Sequence, residues 1–235
     1  LVFVLGAMGI GIWIQKIRQK KAIRALELQH KIQLERERIS RDLHDNVGTQ
    51  LSLISKNIEG VIDPERTIPE TERIRNLRNI SQTSKEVIFT LRETIWALNR
   101  EEISLEELSD KLKGFAQKLF DLNGDCSLDF TEDLEKEAVV LTPSEAIHLF
   151  RICQEAITNS LKYANAKHMR VEIHAGAGKY RVVVADDGIG FDMAAPKTSV
   201  HYGLDNMKYR AEEIQCSFTI ETAPGKGTRI EIRKK

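Results

Sequence analysis

Cysteine is scarce in this sequence of 235 residues and occurs three times, at Cys126, Cys153 and Cys216. These positions lie far apart, no CxxC pair is present, and no cysteine clusters with histidine. The scarcity argues against a disulfide framework and against a structural zinc site. We therefore expect reduced thiols in a cytosolic domain.

A charge excess of either sign is also missing, because Lys+Arg and Asp+Glu both number 35. Nothing in the composition favours a nucleic-acid partner, and we predict no direct nucleic-acid binding. Apolar residues make up 41% of the chain and charged residues 30%, as in ordinary globular proteins. Internal repeats and low-complexity tracts are absent, so the length predicts one or two domains with their own cores.

Charge is absent from the first 14 residues, LVFVLGAMGIGIWI. As a helix they would extend for about 21 Å, whereas the hydrocarbon core of a bilayer measures roughly 30 Å. The sequence does not start with Met, and five basic residues follow before the first acid, Glu27. Such a basic flank is typical of the cytoplasmic side of a membrane helix. We expect residues 1–14 to be the end of a longer transmembrane helix; the alternatives are a buried helix and a signal peptide, which lacks its charged start and its cleavage site here.

Proline is absent before Pro64, and helix-forming residues dominate from residue 15 to about residue 99. Apolar residues recur every three or four positions in two stripes, one from Ile39 to Val61 and the other from Ile74 to Leu98. This spacing is typical of amphipathic helices. The segment 60–70, which holds one glycine and two prolines, separates them.

Two such helices with a short connection predict an antiparallel hairpin. One hairpin cannot cover two long apolar stripes, whereas a homodimer that forms a four-helix bundle can. Residues 15–34 would then be a helical stalk in front of the bundle.

From residue 101 onwards the pattern changes to alternating helices and strands. Helices are predicted at 104–121, where Ser104 and Glu107 can form a capping box, from Thr142 to about residue 164, and at 204–214. Strand patterns occupy 126–131, 169–175, 180–187, 216–222 and 227–233. These elements predict an α+β fold, an α/β sandwich with a mostly antiparallel sheet and helices on one face.

One histidine lies directly beside the first apolar stripe. His44 directly follows the stripe residue Leu43, so it should lie on the exposed rim of the bundle. Asp45 could accept a hydrogen bond from the imidazole and fix its tautomer, as a phosphoryl acceptor requires. An exposed helical histidine is more often only solvated, so the pattern alone leaves both interpretations open.

A second motif is FRICQEAITNSLKYANA, residues 150–166. Glu155 and Asn159 are four residues apart, which places them on one face of a helix. A carboxylate and an amide so placed suit Mg²⁺, and Lys162 and Tyr163, one turn on, could reach phosphate oxygens. The alternative is an ordinary surface pair.

Glycine-rich loops form the third set, with Gly188 and Gly190 after a strand, Gly203 before a helix, and Gly225 and Gly227 between the last two strands. Such loops allow backbone to approach a ligand closely, and free N–H groups at a helix start can bind an anion. They are not the GxGxxG dinucleotide fingerprint, because no βαβ unit surrounds them.

In this order the motifs resemble sensor histidine kinases of two-component signalling, over roughly residues 35–235. The matching residues are His44-Asp45, Glu155-xxx-Asn159, Asp186-x-Gly188-x-Gly190, Gly203-Leu204 and Gly225-x-Gly227-Thr228. Residues 35–52 are similar to the dimerisation helix of nitrate-sensor and thermosensor kinases, and residues 92–101 to the segment that joins the two kinase domains. Residues from about 104 resemble the ATPase domain shared with gyrase, mismatch-repair proteins and heat-shock chaperones. The resemblance implies a dimerisation and histidine phosphotransfer domain at 35–100 and a catalytic ATP-binding domain at 101–235.

The resemblance also implies a role for each motif residue. His44 would accept the phosphoryl group with Asp45 as its acidic helper, and Asn159 with Glu155 would hold Mg²⁺. Lys162 and Tyr163 would contact the phosphates of ATP. Asp186 would accept a hydrogen bond from the adenine amino group and Thr228 would help to seat the ring. The remaining ATP-binding positions would be Gly188, Gly190, Gly203 and Leu204, which frame a lid at 193–202, together with Gly225 and Gly227.

The implied activity is ATP-dependent autophosphorylation of His44, followed by transfer to an aspartate in the receiver domain of a response regulator. The kinase core would be cytoplasmic and anchored in the inner membrane by the N-terminal helix. Two alternatives are a nucleotide-binding signalling scaffold and an ATP-hydrolysing conformational machine of the same ATPase fold. A scaffold would have lost some of the motif residues, whereas all of them are present here. A conformational machine would lack a helix with a His-Asp pair in front of the ATPase domain, whereas this sequence has one.

One position departs from the family pattern. Many members carry Gln five residues after the histidine, where it positions water to dephosphorylate the regulator. Here that position is Thr49, and Gln50 comes one residue later, turned by about 100° on a helix. Thr49 and Gln50 are therefore candidates for a weak phosphatase activity.

Overall fold

The computed structural model describes residues 2–62, 69–122, 126–134, 139–193 and 199–234. Within the first helix some side chains lie outside the description, among them those of His44 and Asp45. The chain divides into two compact units, Leu1–Ile95 and Trp96–Lys235.

The first unit consists of two long helices. Helix α1 spans Val2–Ile62 and helix α2 spans Glu70–Leu98. The predicted break at 60–70 is confirmed, and its central residues 63–68 lie outside the described part of the chain. Within the described residues, none of the helices combines the length and the apolar character that a membrane crossing requires.

The second unit begins with the last turn of α2. It continues through strand β1 (Ile103–Ser104), helix α3 (Leu105–Leu122), strands β2 (Ser127–Leu134) and β3 (Val140–Leu141), and helix α4 (Pro143–Asn159), which runs on as a π turn over Ser160–Ala164. Strands β4 (His168–Gly176) and β5 (Lys179–Asp186), helix α5 (Ser199–Glu213), and strands β6 (Cys216–Thr222) and β7 (Thr228–Lys234) follow. Helix α5 therefore takes up the last part of the predicted lid at 193–202, and residues 194–198 are outside the description.

Five strands form the main sheet in the order β2-β4-β5-β7-β6. The pairs β4–β5, β5–β7 and β7–β6 are antiparallel, while β2 pairs with β4 in parallel, with Ser127 opposite His168. The expected α+β fold with a mostly antiparallel sheet is thus confirmed. Its core includes Val171 and Ile173 of β4 and Val182 and Val184 of β5, each no more than 2% exposed.

Two of the three helices predicted in this unit begin with a capping box, and the one expected at Ser104 and Glu107 is confirmed. The Glu107 N–H donates to Ser104 Oγ and the Ser104 N–H to Glu107 Oε2, each over 3.1 Å. At α4, Thr142 and Glu145 form the same reciprocal pair, and Pro143 takes the first helical position. These caps satisfy backbone N–H groups that a helix leaves unpaired at its start.

The last turn of α2 is built into the second unit. Ala97 is fully buried, and Nζ of Lys111, on α3, lies 4.5 Å from the ring centroid of Trp96. Arg100 also faces this ring, at 5.9 Å. Cation–π contacts of this kind stabilise a packed side chain by about 0.5–2 kcal/mol.

All three cysteines are free thiols, as the sequence predicts. Cys153 and Cys216 are buried and Cys126 is partly exposed. Burial raises the pKa of the Cys153 thiol to about 12, so this side chain behaves as a small apolar group.

Candidate functional site

The site begins on helix α4, where Glu155 and Asn159 occupy adjacent turns. Nδ2 of Asn159 donates a hydrogen bond of 3.1 Å to Oε1 of Glu155, so the two side chains share one face as the sequence predicts. With its amide nitrogen directed at Glu155, Asn159 keeps its carbonyl oxygen for another partner. This oxygen and the carboxylate are oxygen ligands of the kind that Mg²⁺ prefers, so the pair fits that cation.

Directly after Asn159 the helix widens into the π turn Ser160–Ala164 and ends at Asn165, which has a left-handed backbone with φ 49°. Single π turns within α-helices often occur at functional sites. Here the turn directs Tyr163 to the rim of a cavity and places Ser160 on its wall.

Asp186, at the end of β5, is held by two hydrogen bonds. Its Oδ2 accepts from the Ser160 hydroxyl over 2.6 Å, and its Oδ1 accepts from the Gly188 N–H over 3.0 Å. The carboxylate is therefore fixed in orientation, and each oxygen retains a lone pair for a ligand.

The next residue, Asp187, faces away from this arrangement. Its exposed carboxylate accepts hydrogen bonds from the backbone N–H groups of His168 and Lys167, at 2.9 and 2.8 Å. These bonds hold the pKa of Asp187 below its usual value. Asp187 thus fastens the loop in front of β4, and Asp186 faces the cavity.

The glycines of the two loops allow three stretches of backbone to touch. A Cβ on Gly188 would overlap Ala164 of the π turn, and one on Gly190 would overlap the carbonyl of Ala223. Gly190 and Gly227 also have positive φ, 55° and 70°, which other residues rarely adopt. Through this packing, Ala164 and Gly190 form part of the cavity wall.

Two threonines continue the same wall. Oγ1 of Thr222 donates to the Gly227 carbonyl over 3.0 Å and accepts from the Phe191 N–H over 3.2 Å. Its single proton is then used, so the 3.2 Å contact between the two hydroxyls makes Thr228 the donor. The Thr228 oxygen therefore offers its lone pairs to a ligand in the cavity.

These residues surround a cavity of about 280 Å³. Six of the predicted ATP-binding residues line it, namely Asn159, Tyr163, Asp186, Gly190, Leu204 and Thr228. Apolar side chains, including those of Ile189, Phe191 and Ile230, supply much of the remaining surface. A concave, largely apolar site with a few polar groups is typical of a pocket for a small molecule or cofactor.

The other predicted residues of this set are near the cavity or support it. Gly203 lies against Glu155, since a Cβ there would be 2.5 Å from Oε1. Gly188 and Gly227 pack behind the wall, and the Gly225 N–H donates to the Ile189 carbonyl over 2.6 Å. Lys162 is exposed on the π turn and is not part of the lining.

Sequence reasoning missed Ser160. It continues the apolar face of α4 that carries Cys153 and Ala156, and it is 8% exposed. A hydroxyl on an otherwise apolar face indicates a buried hydrogen-bond partner, and this signal could have been used. The partner itself, Asp186, is 26 residues away and could not be read from local pattern.

The predicted phosphoryl acceptor, His44, belongs to α1 by its backbone, and its side chain and that of Asp45 are outside the described residues. Ile39 on the same helix is 6% exposed. Thr49 is exposed, whereas Gln50 is half-buried and its Oε1 accepts no hydrogen bond from the described residues. The roles predicted for all these residues stay predictions.

Comparisons with known families match both units. Residues 35–103 match the family described as histidine kinase, and residues 144–235 match the histidine kinase-, DNA gyrase B- and HSP90-like ATPases. Together the two matches cover most of the chain after residue 34.

Curated relatives support the same assignment. The sensor protein VraS of Staphylococcus haemolyticus is 31% identical over 202 residues, which are 86% of this chain and 56% of that protein. The sensor histidine kinase LiaS of Bacillus subtilis is 29% identical over 221 residues, 94% of this chain and 59% of that protein. The chain thus spans somewhat more than half the length of these relatives.

Among solved structures, the blue-light activated histidine kinase EL346 of Erythrobacter litoralis shares the fold, with a TM-score of 0.51 at 15% identity. The match covers 83% of this chain and 62% of that one. From the two family matches, their order along the chain and the similarity to VraS and LiaS, the chain belongs to the sensor histidine kinases of two-component signalling.

Proposed function

We propose that this chain uses ATP to phosphorylate His44 and then passes the phosphoryl group to an aspartate of a response-regulator receiver domain. The observation that carries this proposal is the cavity in which Asn159, Asp186 and Thr228 converge, on a chain that also has a histidine-kinase helix.

The cavity suits the adenine end of ATP. An adenine ring fits between apolar walls, and its amino group is a donor that needs an acceptor. Asp186, fixed by Ser160 and the Gly188 N–H, offers that acceptor. The lone pairs of Thr228 lie on the same wall.

The phosphates would then extend toward Asn159, Tyr163 and the start of α5. Asn159 and Glu155 would hold Mg²⁺, which when bound neutralises charge on the phosphates. Free N–H groups in the first turn of a helix favour anionic groups, and α5 presents such a turn. Lys162, exposed on the π turn, can swing towards the phosphates from outside the cavity.

His44 would attack the γ-phosphorus with one ring nitrogen while the bond from that phosphorus to the β–γ bridging oxygen breaks and ADP leaves. Asp45 accepts a hydrogen bond from the other ring nitrogen and takes up its proton as the phosphorylated ring becomes neutral. That bond fixes the tautomer, and the carboxylate stabilises the positive charge that develops on the ring. Catalysis in such transfers rests mainly on positioning and charge neutralisation. The phosphorylated imidazole then donates the group to the regulator.

A homodimer would complete the helical unit. On α2 the predicted stripe remains open to solvent: Ile74, Leu77, Ile88 and Ile95 are between 42% and 54% exposed. On α1, Leu51 and Ile58 are exposed to a similar degree. A second copy that forms a four-helix bundle would cover these side chains.

We also propose the membrane anchor and the domain plan. Residues 1–14 would end a transmembrane helix with its basic flank in the cytoplasm, and residues 15–34 would form the stalk. Residues 35–100 would act in dimerisation and phosphotransfer, and residues 101–235 in catalysis.

Incubation with γ-labelled ATP and Mg²⁺ tests the proposal. The parent chain should incorporate an acid-labile, alkali-stable label that maps to His44. The His44→Gln variant should incorporate none while it binds ATP as tightly as the parent, because His44 and the nucleotide motifs belong to separate units.

Equal labelling of His44→Gln would refute the assignment of the acceptor. ATP binding without any labelling of the parent would favour a nucleotide-binding scaffold, and release of free phosphate without labelling would favour an ATP-hydrolysing machine.

A further inference from the structure

Thr222 is a residue of β6 that none of the motifs includes. In the register of the sheet, Thr228 of β7 lies opposite Asp186 of β5 on one side and opposite Thr222 on the other. Side chains that lie directly opposite each other in an antiparallel pair point to the same face of the sheet. Three oxygen-bearing side chains from three neighbouring strands therefore stand in a row, and those of Asp186 and Thr228 line the cavity.

The Thr222 hydroxyl makes three contacts, with the Phe191 N–H at 3.2 Å, the Gly227 carbonyl at 3.0 Å and the Thr228 hydroxyl at 3.2 Å. Because a carbonyl can only accept and an N–H can only donate, one assignment makes all three contacts hydrogen bonds. In it, Thr222 donates to Gly227 and accepts from Phe191 and Thr228. This assignment uses the single proton and both lone pairs of the Thr222 hydroxyl, which leaves it no capacity for a ligand.

The bond to Thr222 decides what Thr228 can offer to a ligand. Its only proton is directed at Thr222, so its oxygen can accept hydrogen bonds from the cavity but cannot donate one. The neighbouring Asp186 carboxylate also only accepts, and the Ser160 hydroxyl and the Gly188 N–H already fix its orientation. The row thus presents acceptors alone to the edge of a bound ring.

We propose that Thr222 is a specificity-determining positioning residue, which fixes the Thr228 hydroxyl as an acceptor and so adds to the preference of the cavity for purines with a 6-amino group. This inference rests on the proposed function, in which adenine occupies the cavity. An amino group supplies two N–H donors, and a ring without it leaves the acceptors of the row unpaired. Without the Thr222 hydroxyl the Thr228 proton can turn into the cavity, and only Asp186 maintains the preference.

The test compares the affinities of the full chain for ATP and for purine riboside triphosphate, which differs from ATP only in lacking the 6-amino group. Each nucleotide displaces a ribose-labelled fluorescent ATP analogue in the presence of Mg²⁺. Thr222→Val keeps the β-branched shape, and it should reduce the ratio of the two affinities by about fivefold, the usual contribution of a hydrogen bond between uncharged groups. Thr222→Ser, which retains the hydroxyl, should preserve the ratio. Thr219→Val, the same change at an exposed position of β6, should alter nothing.

A double-mutant cycle with Thr228→Val shows whether Thr222 acts through its neighbour. Thr228→Val removes the acceptor itself, so the addition of Thr222→Val should not lower the ratio of affinities further. A displaced cavity wall would weaken the binding of both nucleotides equally and leave their ratio unchanged. The ratio therefore distinguishes the orientation of Thr228 from a merely structural effect.

An unchanged ratio in Thr222→Val, an equal fall in Thr222→Ser or Thr219→Val, or a further fall in the double variant would each overturn the role of Thr222. In these cases the parent chain still binds ATP more tightly than the nucleotide without the amino group, so the proposed function stands. A parent chain that binds neither nucleotide would overturn both.

Discussion

The hydroxyl of Ser160 donates a hydrogen bond of 2.6 Å to Oδ2 of Asp186 and so joins the π turn after α4 to the end of β5. The second oxygen of the carboxylate is held by the N–H of Gly188. Asp186 is therefore oriented before any ligand binds. Such preorganisation reduces the conformational entropy that is lost on binding.

This arrangement predicts different effects for two neighbouring aspartates. Asp186→Asn replaces one acceptor oxygen by an NH₂ group, which must then face a hydrogen-bond donor. The free energy of nucleotide binding should become less favourable by about 1.5–3 kcal/mol, as for other hydrogen bonds to charged groups. Asp187→Asn, which changes an exposed carboxylate outside the cavity, should leave affinity unchanged. Ser160→Ala should have an intermediate effect, because it frees the Asp186 carboxylate without removing it.

Equilibrium binding of ATP to the three variants measures these effects. Equal losses in Asp186→Asn and Asp187→Asn would show that the charge of this loop matters and the hydrogen bond to adenine does not.

Two helical glycines predict opposite outcomes on substitution by alanine. A Cβ at Gly203 would displace Oε1 of Glu155, whereas one at Gly114, in α3, meets nothing within 4 Å. Gly203→Ala should therefore lower autophosphorylation by about tenfold or more, as expected when a metal ligand is moved. Gly114→Ala should keep full activity and raise the free energy of unfolding by about 0.5–1 kcal/mol, because alanine is the better helix former.

Label incorporation and denaturant unfolding report on both variants. Full activity in Gly203→Ala would mean that the displaced Glu155 side chain is not needed at its present place.

The boundary between the units predicts how much chain the ATPase unit requires. Trp96 and Ala97 pack into this unit, so a fragment that spans 96–235 should unfold at a higher temperature than one that spans 104–235. Both should bind ATP, since the predicted ATP-binding residues all lie after residue 150. Within the longer fragment, Trp96→Ala should remove the cation–π contact with Lys111, worth about 0.5–2 kcal/mol. Circular dichroism melts measure the difference, and identical melting of the two fragments would speak against a structural role of residues 96–103.

Phosphatase activity is predicted to be weak and to depend on Thr49 more than on Gln50. A five-residue step from His44 turns the helix about 140° beyond a full circle, and Gln50 is turned a further 100°. The structure adds that Thr49 is exposed and that the Gln50 amide oxygen is buried, so Thr49 is the better placed of the two to contact an attacking water.

The measurement is loss of phosphate from a purified phosphorylated regulator in the presence of the parent chain, Thr49→Ala or Gln50→Ala. Strong activity that survives Thr49→Ala and disappears in Gln50→Ala would show that the amide turns out of its buried position to act.

Local pattern determined the elements and the motifs. The periodicity of apolar residues predicts α2, α4, β4 and β5, because a helix or strand must present one apolar face to a core. The capping box at Ser104 and Glu107 could also be predicted from the sequence, because its hydrogen bonds join residues that are three positions apart. Even the shared face of Glu155 and Asn159 follows from a spacing of four.

Contacts between distant residues were decided by the tertiary structure. The parallel pairing of β2 with β4 brings Ser127 opposite His168, and nothing in either strand specifies that partner. The π turn, the bond from Ser160 to Asp186 and the approach of Gly203 to Glu155 exist because α4, α5 and β5 pack in one particular arrangement. A sequence period reports which face of an element is apolar, but the polar groups that meet inside the fold depend on how all the elements fit together at close packing.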